Sequence, residues 1–326
     1  MRILVTGATG FVGRHLLSLL LRKRNEVFGT YLQPESSVFP KQVRLVACDL
    51  RDADLVAQVV KDVRPTRIYH LAASSSVRNS FQNVRDVYQA NFLGTLYLLE
   101  AVREFQPLCR ILLVGSGHCY GRVKRAQLPI TEDQPLAPTS PYGVSKAAAD
   151  LLGGQFFESH NLHVIRTRPF NHTGPGQSPD FVCSDFARQF AAISLRLAPP
   201  VLHVGNLASR RDFSDVRDVV RAYALLMEKG KPGEIYNVCS GRAVSLQQVL
   251  KILSSFCRHT VTVHVEPGRT RKAEEQVLFG SNRKLQKTTS WRSLYELKRT
   301  LFDLYQYWAT ILQSEVHTAS AGRSIP

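Results

Sequence analysis

At 326 residues the chain exceeds the roughly 250–300 residues at which one hydrophobic core stops growing, so two lobes are expected. Its 44% hydrophobic and 21% charged residues exclude wholesale disorder. The net charge of +16 favours polyanions, yet the basic residues are dispersed and no zinc-finger, zipper or RNA-recognition pattern accompanies them, which sets nucleic acid aside as the main partner.

From the start to about residue 168, short β-rich runs alternate with helical patterns. Residues 3–5 read as a strand and 11–22 as a helix with Leu16, Leu17, Leu20 and Leu21 on its apolar side. Strands follow at 26–31 and 43–48, a helix at 52–63, and buried strands at 67–71 and 111–114 that flank a helical pattern over 86–105. This βαβ alternation predicts an α/β fold with a doubly wound parallel sheet. The turn formers of 169–176 mark an exit into a second lobe. A helix at 215–229 and a strand at 235–238 are read as a return. The expected division is therefore 1–168, rejoined by about 212–240, then a smaller lobe of 169–211 and 241–315 with an amphipathic helix at 294–312, and a flexible tail at 316–326.

Six cysteines without CxxC or His/Cys metal spacing indicate a reduced compartment and no metal site. The chain opens directly on an apolar strand and holds no apolar run of about 18 residues, so a cytoplasmic protein is expected, with no membrane partner.

Gly7-Ala8-Thr9-Gly10-Phe11-Val12-Gly13 follows the first strand and opens a helix. Glycines there permit a tight turn, close approach of backbone to a pyrophosphate and close helix packing, while the free amides of the helix attract the anion. Thr9, Phe11 and Val12 share that turn, which makes the region a Rossmann-type dinucleotide site. Where an acidic residue often holds the ribose 2′-hydroxyl of NAD, this chain has Gly29-Thr30-Tyr31, with Arg22, Lys23 and Arg24 nearby. NADP is thus favoured over NAD, with both open. Asp49 at the end of the third strand suits the adenine amino group or a helix-entry role.

Ser140-Pro141-Tyr142-Gly143-Val144-Ser145-Lys146 reads as a capped helix start that puts Tyr142 and Lys146 on one face. A phenol titrates near about 10, and a neighbouring ammonium favours its ionised form. The pair is a candidate proton donor and acceptor for carbonyl/alcohol chemistry. Ser116 lies at the carboxyl end of an apolar strand, where open parallel sheets bind ligands, and can hydrogen-bond the reacting oxygen.

With GATGFVG at 7–13, CDL at 48–50, HLAA at 70–73, GSGHCYG at 115–121, YGVSK at 142–146 and RDFSDVRDVVRAY at 211–223, nearly the whole chain resembles the extended short-chain dehydrogenase/reductases that act on nucleotide sugars. The resemblance implies a Ser116, Tyr142 and Lys146 triad, and a coenzyme lined by Asp49, Leu50, Leu71, Ala72, Ala73 and Pro169. RPFNHTGPGQ at 168–177 and FVCSDFARQ at 181–189 look like the branch that handles GDP-linked 4-keto-6-deoxyhexoses, GDP-4-keto-6-deoxy-D-mannose reductases among them. That similarity implies Ser76, Asn171, Arg188, Arg211, Arg271 and Glu274 as substrate contacts, and a homodimer through helices near 86–105 and 142–158.

Dehydratases in this family carry an Asp-Glu pair after the active-site Ser/Thr, because eliminating water needs its own acid and base. Here those places hold Gly117 and His118. The expected reaction is NAD(P)H-dependent reduction of the C4 ketone of GDP-4-keto-6-deoxy-D-mannose, to GDP-D-rhamnose on the usual face. The alternatives are an NAD-retaining nucleotide-sugar epimerase or dehydratase, for which His118 is a candidate acid/base, and a non-catalytic dinucleotide-binding regulatory protein.

Overall fold

The computed structural model describes residues 1–33, 39–266 and 277–321. Among them, seven strands form one parallel sheet: β1 (Arg2–Thr6), β2 (Glu26–Tyr31), β3 (Val43–Ala47), β4 (Arg67–His70), β5 (Arg110–Val114), β6 (His163–Pro169) and the strand Ile235–Val238. The order across the sheet is Ile235–Val238, β6, β5, β4, β1, β2, β3. The chain therefore winds outward from β1 to β3, then restarts at β4 on the other side. A crevice at the carboxyl ends of β1 and β4 follows, the place where such sheets bind ligands.

Strand alternation divides the core. Ile3, Val5 and Val27 face one side with Leu16, Leu17 and Leu20 of α1 (Phe11–Leu20) and with Val219, Val220 and Leu226 of the helix Val216–Lys229. Leu4, Ile68 and Ile111 face the other, against Val56, Val59 and Val60 of α2 (Ala53–Val63) and Leu98, Leu99 and Val102 of α5 (Gly94–Phe105). The period of two places successive residues on opposite faces. Asp52 caps α2 by accepting the Leu55 amide, and Arg64 closes it in a left-handed conformation at φ 48°.

Between them lie α3 (Val77–Ser80) and α4 (Val84–Tyr88), and a π-helical turn at Gln89–Leu93 joins α4 to α5. The expected uniform helix over 86–105 is corrected here. Asn91 spends its side chain on Ser74 and Ser145, and Gly94 lies so close to Leu50 that a Cβ there would come within 2.9 Å of it. A π turn adds a residue where regular spacing cannot serve both contacts.

After β5, the helix α6 (Pro141–His160) begins on Ser140, whose hydroxyl accepts the Gly143 amide, and ends at Asn161 with φ 53°. β6 carries Arg166 and Arg168 inside the sheet. Asp150 of α6 takes the Arg168 guanidinium at 2.8 Å and 3.2 Å, an ion pair almost wholly buried.

The chain divides into two compact units: Met1–Phe170 with Arg217–Gly241 and Gly280–Arg292, and Asn171–Val216 with Arg242–Phe279 and Ser293–Pro326. The segment Gly280–Arg292 belongs to the first unit, although its sequence reads as part of the second lobe. Leu285 and Trp291 explain this, since both belong to the first unit's core cluster, and the Trp291 indole donates to the Asp218 carbonyl at 3.0 Å. The second unit has its own core, built from Phe186 and Phe190 of the helix Val182–Ser194, Val249 and Leu253 of the helix Leu246–Ser254, and Leu301 and Leu304 of the helix Leu297–Ala321. That last helix runs into the stretch expected to be a tail. No helix among the described residues is long and apolar enough to cross a membrane.

Trp291→Ala should lower stability by about 3–5 kcal/mol, the usual range for emptying a buried aromatic site. Urea denaturation measures it; a loss below about 1 kcal/mol would contradict the placement of this segment in the first core.

Candidate active site

The glycine turn is built at the end of β1. Gly7 has φ +66°, a left-handed conformation that disfavours side chains, and a Cβ there would stand 2.8 Å from the Ala72 backbone. A Cβ at Gly13 would collide with the Gly7 and Ala8 carbonyls. The loop is pinned to β2, with the Gly7 amide donating to the Thr30 hydroxyl at 3.2 Å and the Ala8 amide to the Thr30 carbonyl at 3.0 Å. Thr9 is held through its carbonyl, which accepts from the Arg14 guanidinium at 2.9 Å.

These contacts bring two motifs, residues 7–13 and Leu71-Ala72-Ala73, against one another. Phe11 and Val12 open α1, whose N-cap Gly10 supplies no side chain to its amides, and no acidic residue stands in the first turn among the described residues. Such a helix end leaves its amides for an anion. The residues present thus fit the pyrophosphate of a dinucleotide.

Asp49 and Leu50, expected to meet the adenosine, follow β3. The structure qualifies the reading of Asp49 as an open acceptor: Arg51 covers both carboxylate oxygens at 2.6–3.0 Å and holds the carboxyl below its usual range. The helix-entry role falls to Asp52. The described end of β2 is Thr30-Tyr31, which offers a 2′-phosphate no carboxylate to repel it. Pro169 is the last residue of β6.

Ser116, Tyr142 and Lys146 come together at the carboxyl end of β5, all buried. Ser116 caps a 3₁₀ turn, Gly117–Cys119, by accepting the His118 amide at 3.2 Å. Burial pushes the Tyr142 phenol up to about 12, opposed by a hydrogen bond with Ser116. Burial likewise pulls the Lys146 ammonium down to about 8. The expectation that Lys146 drives Tyr142 towards phenolate is corrected. Its Nζ donates to the Val114 carbonyl at 2.8 Å, and desolvation of the phenol dominates. At neutral pH Tyr142 is a protonated acid, able to donate.

His118 stands edge-on to Tyr142, ring centroids 6.0 Å apart. Cys119 is buried, its thiol pushed up to about 12, which leaves no thiolate for chemistry. Asn91 and His70, both buried beneath this site, were not singled out from sequence; His70 sits inside the quoted HLAA motif, whereas Asn91 sits within an ordinary helical pattern.

The implied substrate residues divide differently. Ser76 spends its hydroxyl as N-cap of α3, accepting the Asn79 amide at 3.1 Å. Asn171, Arg188 and Arg211 belong to the second unit. Arg188 is exposed and lies over the Trp308 ring at 5.7 Å, while Arg211 is buried and donates to the Arg210 carbonyl at 2.9 Å. Arg271 and Glu274 lie outside the described residues. Among the described residues, no group of three or more His, Cys, Asp or Glu side chains is placed to hold a metal ion.

A family model described as GDP-mannose 4,6 dehydratase matches residues 4–303. The chain belongs to this family of extended short-chain dehydrogenase/reductases. As a member it is an NAD(P)-dependent enzyme of the nucleotide-sugar type. It is 34% identical to the GDP-6-deoxy-D-mannose reductase of Pseudomonas aeruginosa over 314 residues, 96% of this chain and 99% of that protein. The solved structure of RMD from Pseudomonas aeruginosa complexed with NADPH superposes with a TM-score of 0.83 at 32% identity, covering 95% of this chain and 100% of that one. The UDP-glucose 4-epimerase of Thermus thermophilus in complex with NAD gives 0.85 at 28% identity, covering 94% and 99%.

The Lys146 value sets a pH dependence. The ammonium is kept below about 8 and lost above it, so kcat/KM for reduced coenzyme should fall as pH rises through that region. A profile flat to pH about 9.5 would show that the charge of Lys146 is not needed, since the free group would then be largely neutral.

Proposed function

We propose that this enzyme reduces the C4 ketone of GDP-4-keto-6-deoxy-D-mannose to a GDP-6-deoxyhexose, GDP-D-rhamnose when hydride arrives on the face usual for the family. The observation that carries the reading is the buried Tyr142 beside Ser116, followed by Gly117 and His118 in place of a carboxylate pair. Reduction needs one hydride and one proton; dehydration needs a further acid and base. Similarity to a GDP-6-deoxy-D-mannose reductase along nearly its entire length supports the same choice.

The residues at 7–13 and 71–73 would hold the coenzyme, together with Asp49, Leu50, Lys146 and Pro169. Bound NAD(P)H supplies the hydride. Ser116 steadies the ketone oxygen, Tyr142 delivers its phenolic proton to that oxygen as negative charge develops, and Lys146 binds ribose hydroxyls and stabilises the resulting phenolate. NADPH is the favoured coenzyme, on the Thr30-Tyr31 end of β2 and the NADPH complex of the similar reductase.

The second unit would form the nucleotide-sugar lobe, with Asn171, Arg188, Arg211 and Arg271 for the diphosphate and Glu274 for the guanosine ribose. A homodimer would pack the helices over 86–105 and α6, where Tyr88, Val144 and Leu151 are exposed. An NAD-retaining epimerase is the second reading, favoured by the His118 imidazole beside Tyr142.

The deciding experiment offers nucleotide 4-ketosugars with NADH or NADPH and identifies products by NMR. The reductase consumes reduced coenzyme in a one-to-one ratio with the GDP-ketosugar. Turnover without added reductant, on coenzyme that copurifies, would favour the epimerase instead. Tyr142→Phe should lower turnover by about 10²–10⁴-fold while coenzyme affinity stays within a few-fold; turnover near that of the unmodified enzyme would remove Tyr142 from its role.

A further inference from the structure

A buried chain of hydrogen bonds runs between the glycine turn and the helix that carries Tyr142. It starts where the sheet order reverses, since Thr6 and His70 are register partners on β1 and β4. Thr6 Oγ1 lies 2.8 Å from His70 Nδ1, and His70 Nε2 lies 3.0 Å from Thr95 Oγ1. The Thr95 hydroxyl donates to the Asn91 carbonyl at 2.7 Å. The Asn91 amide donates to the Ser74 carbonyl and to Ser145 Oγ, both at 3.0 Å, while its oxygen accepts the Ser74 amide at 2.7 Å. Ser145 donates to the Tyr142 carbonyl at 2.8 Å. Thr6, His70, Asn91, Thr95 and Ser145 are each at most 3% exposed.

Counting protons gives the chain one direction. The Thr95 proton is committed to the Asn91 carbonyl, so towards the imidazole Thr95 only accepts, and Nε2 carries the hydrogen. Nδ1 is then bare and accepts the Thr6 proton, while Thr6 Oγ1 accepts the Ala72 amide at 3.2 Å. The opposite tautomer would leave the Thr6 proton without an acceptor among these partners. Burial keeps the imidazole neutral, pulling its pKa down to about 3, and the Lys146 ammonium adds to this. A neutral, singly oriented histidine is the state that donates on one side and accepts on the other.

Both ends meet groups already assigned. Ala72, which donates to Thr6, is the residue against which Gly7 packs, and Ser145 holds the first turn of α6. We propose that His70 is a positioning residue, tying the coenzyme turn to the catalytic helix so that seating the coenzyme and setting the Tyr142 phenol are coupled. The proposal rests on the reading that residues 7–13 seat the coenzyme and Tyr142 transfers the proton. It differs from a purely structural role because it requires Ser145, remote from the glycine turn along this chain, to influence coenzyme affinity through His70.

The test is a mutant cycle read by NADPH and NADH dissociation constants from nicotinamide fluorescence, with thermal melting to confirm folding. Ser145→Ala should weaken coenzyme binding by about threefold or more in the otherwise unmodified enzyme, and by less than about 1.5-fold when His70 is already replaced by Phe. His70→Gln, which can donate and accept, should restore part of the response. An equal Ser145→Ala effect on both backgrounds, or no effect on either, overturns the proposal. If the His70→Phe protein does not fold, Thr6→Val cuts the same chain one step earlier and the cycle is read there. The readout needs no sugar, so the proposal can fail while the reductase reading stands; a protein that binds neither coenzyme fails both.

Discussion

Lys146 carries an ammonium that is almost sealed from water and fixed on the carbonyl of Val114. Withdrawing such a group from solvent is unfavourable by several kcal/mol, an effect offset only by well-placed acceptors. That requirement constrains everything around it. β5 has to end with a carbonyl that accepts from α6, α6 has to start one turn earlier on a fixed cap, and the helix must not rotate. Ser140, the Asn91–Ser145 contact and the Asp150–Arg168 ion pair meet these conditions at successive levels along α6. The phenol shares the dry environment and therefore keeps its proton, which makes the site an acid before any ligand arrives.

The glycine turn obeys a geometric constraint rather than an electrostatic one. Gly7 and Ala72 come from strands adjacent in space but far apart in sequence, and their backbones approach so closely that one glycine decides whether β1 and β4 can both end at the crevice. The same approach brings the amides of α1 next to the carboxyl edge of the sheet. Position, more than the identity of any one side chain, turns a glycine pattern into an anion cradle.

Much of this was legible because its signals are local. Ile3, Leu4 and Val5 announce a strand buried on both faces, Ser140-Pro141 announces a helix start, and glycines at 7, 10 and 13 announce a turn followed by close packing. What escaped depends on pairings the linear order hides. Trp291 looks like any apolar residue of a mixed segment until its indole finds the Asp218 carbonyl, and that carried Gly280–Arg292 into the wrong lobe. Asn91 sits in a helical pattern, and only its partners on Ser74 and Ser145 account for the π turn. The direction of the Tyr142 shift was misjudged because sequence spacing shows that Lys146 is near, but not that the phenol is buried. Asp49 looked open because its partner Arg51 lies two positions away, where a fork-shaped guanidinium folds back onto it.

The Asp150–Arg168 pair has an evolutionary corollary. Losing Asp150 strands the buried Arg168 guanidinium and takes from Arg166 its carboxylate partner, a kind of loss that typically costs about 3–5 kcal/mol. Position 150 can therefore drift only together with both arginines of β6. Lineages that abandon the carboxylate should have changed the arginines at 166 and 168 as well, and a library that randomises α6 without β6 would discard nearly every variant at position 150.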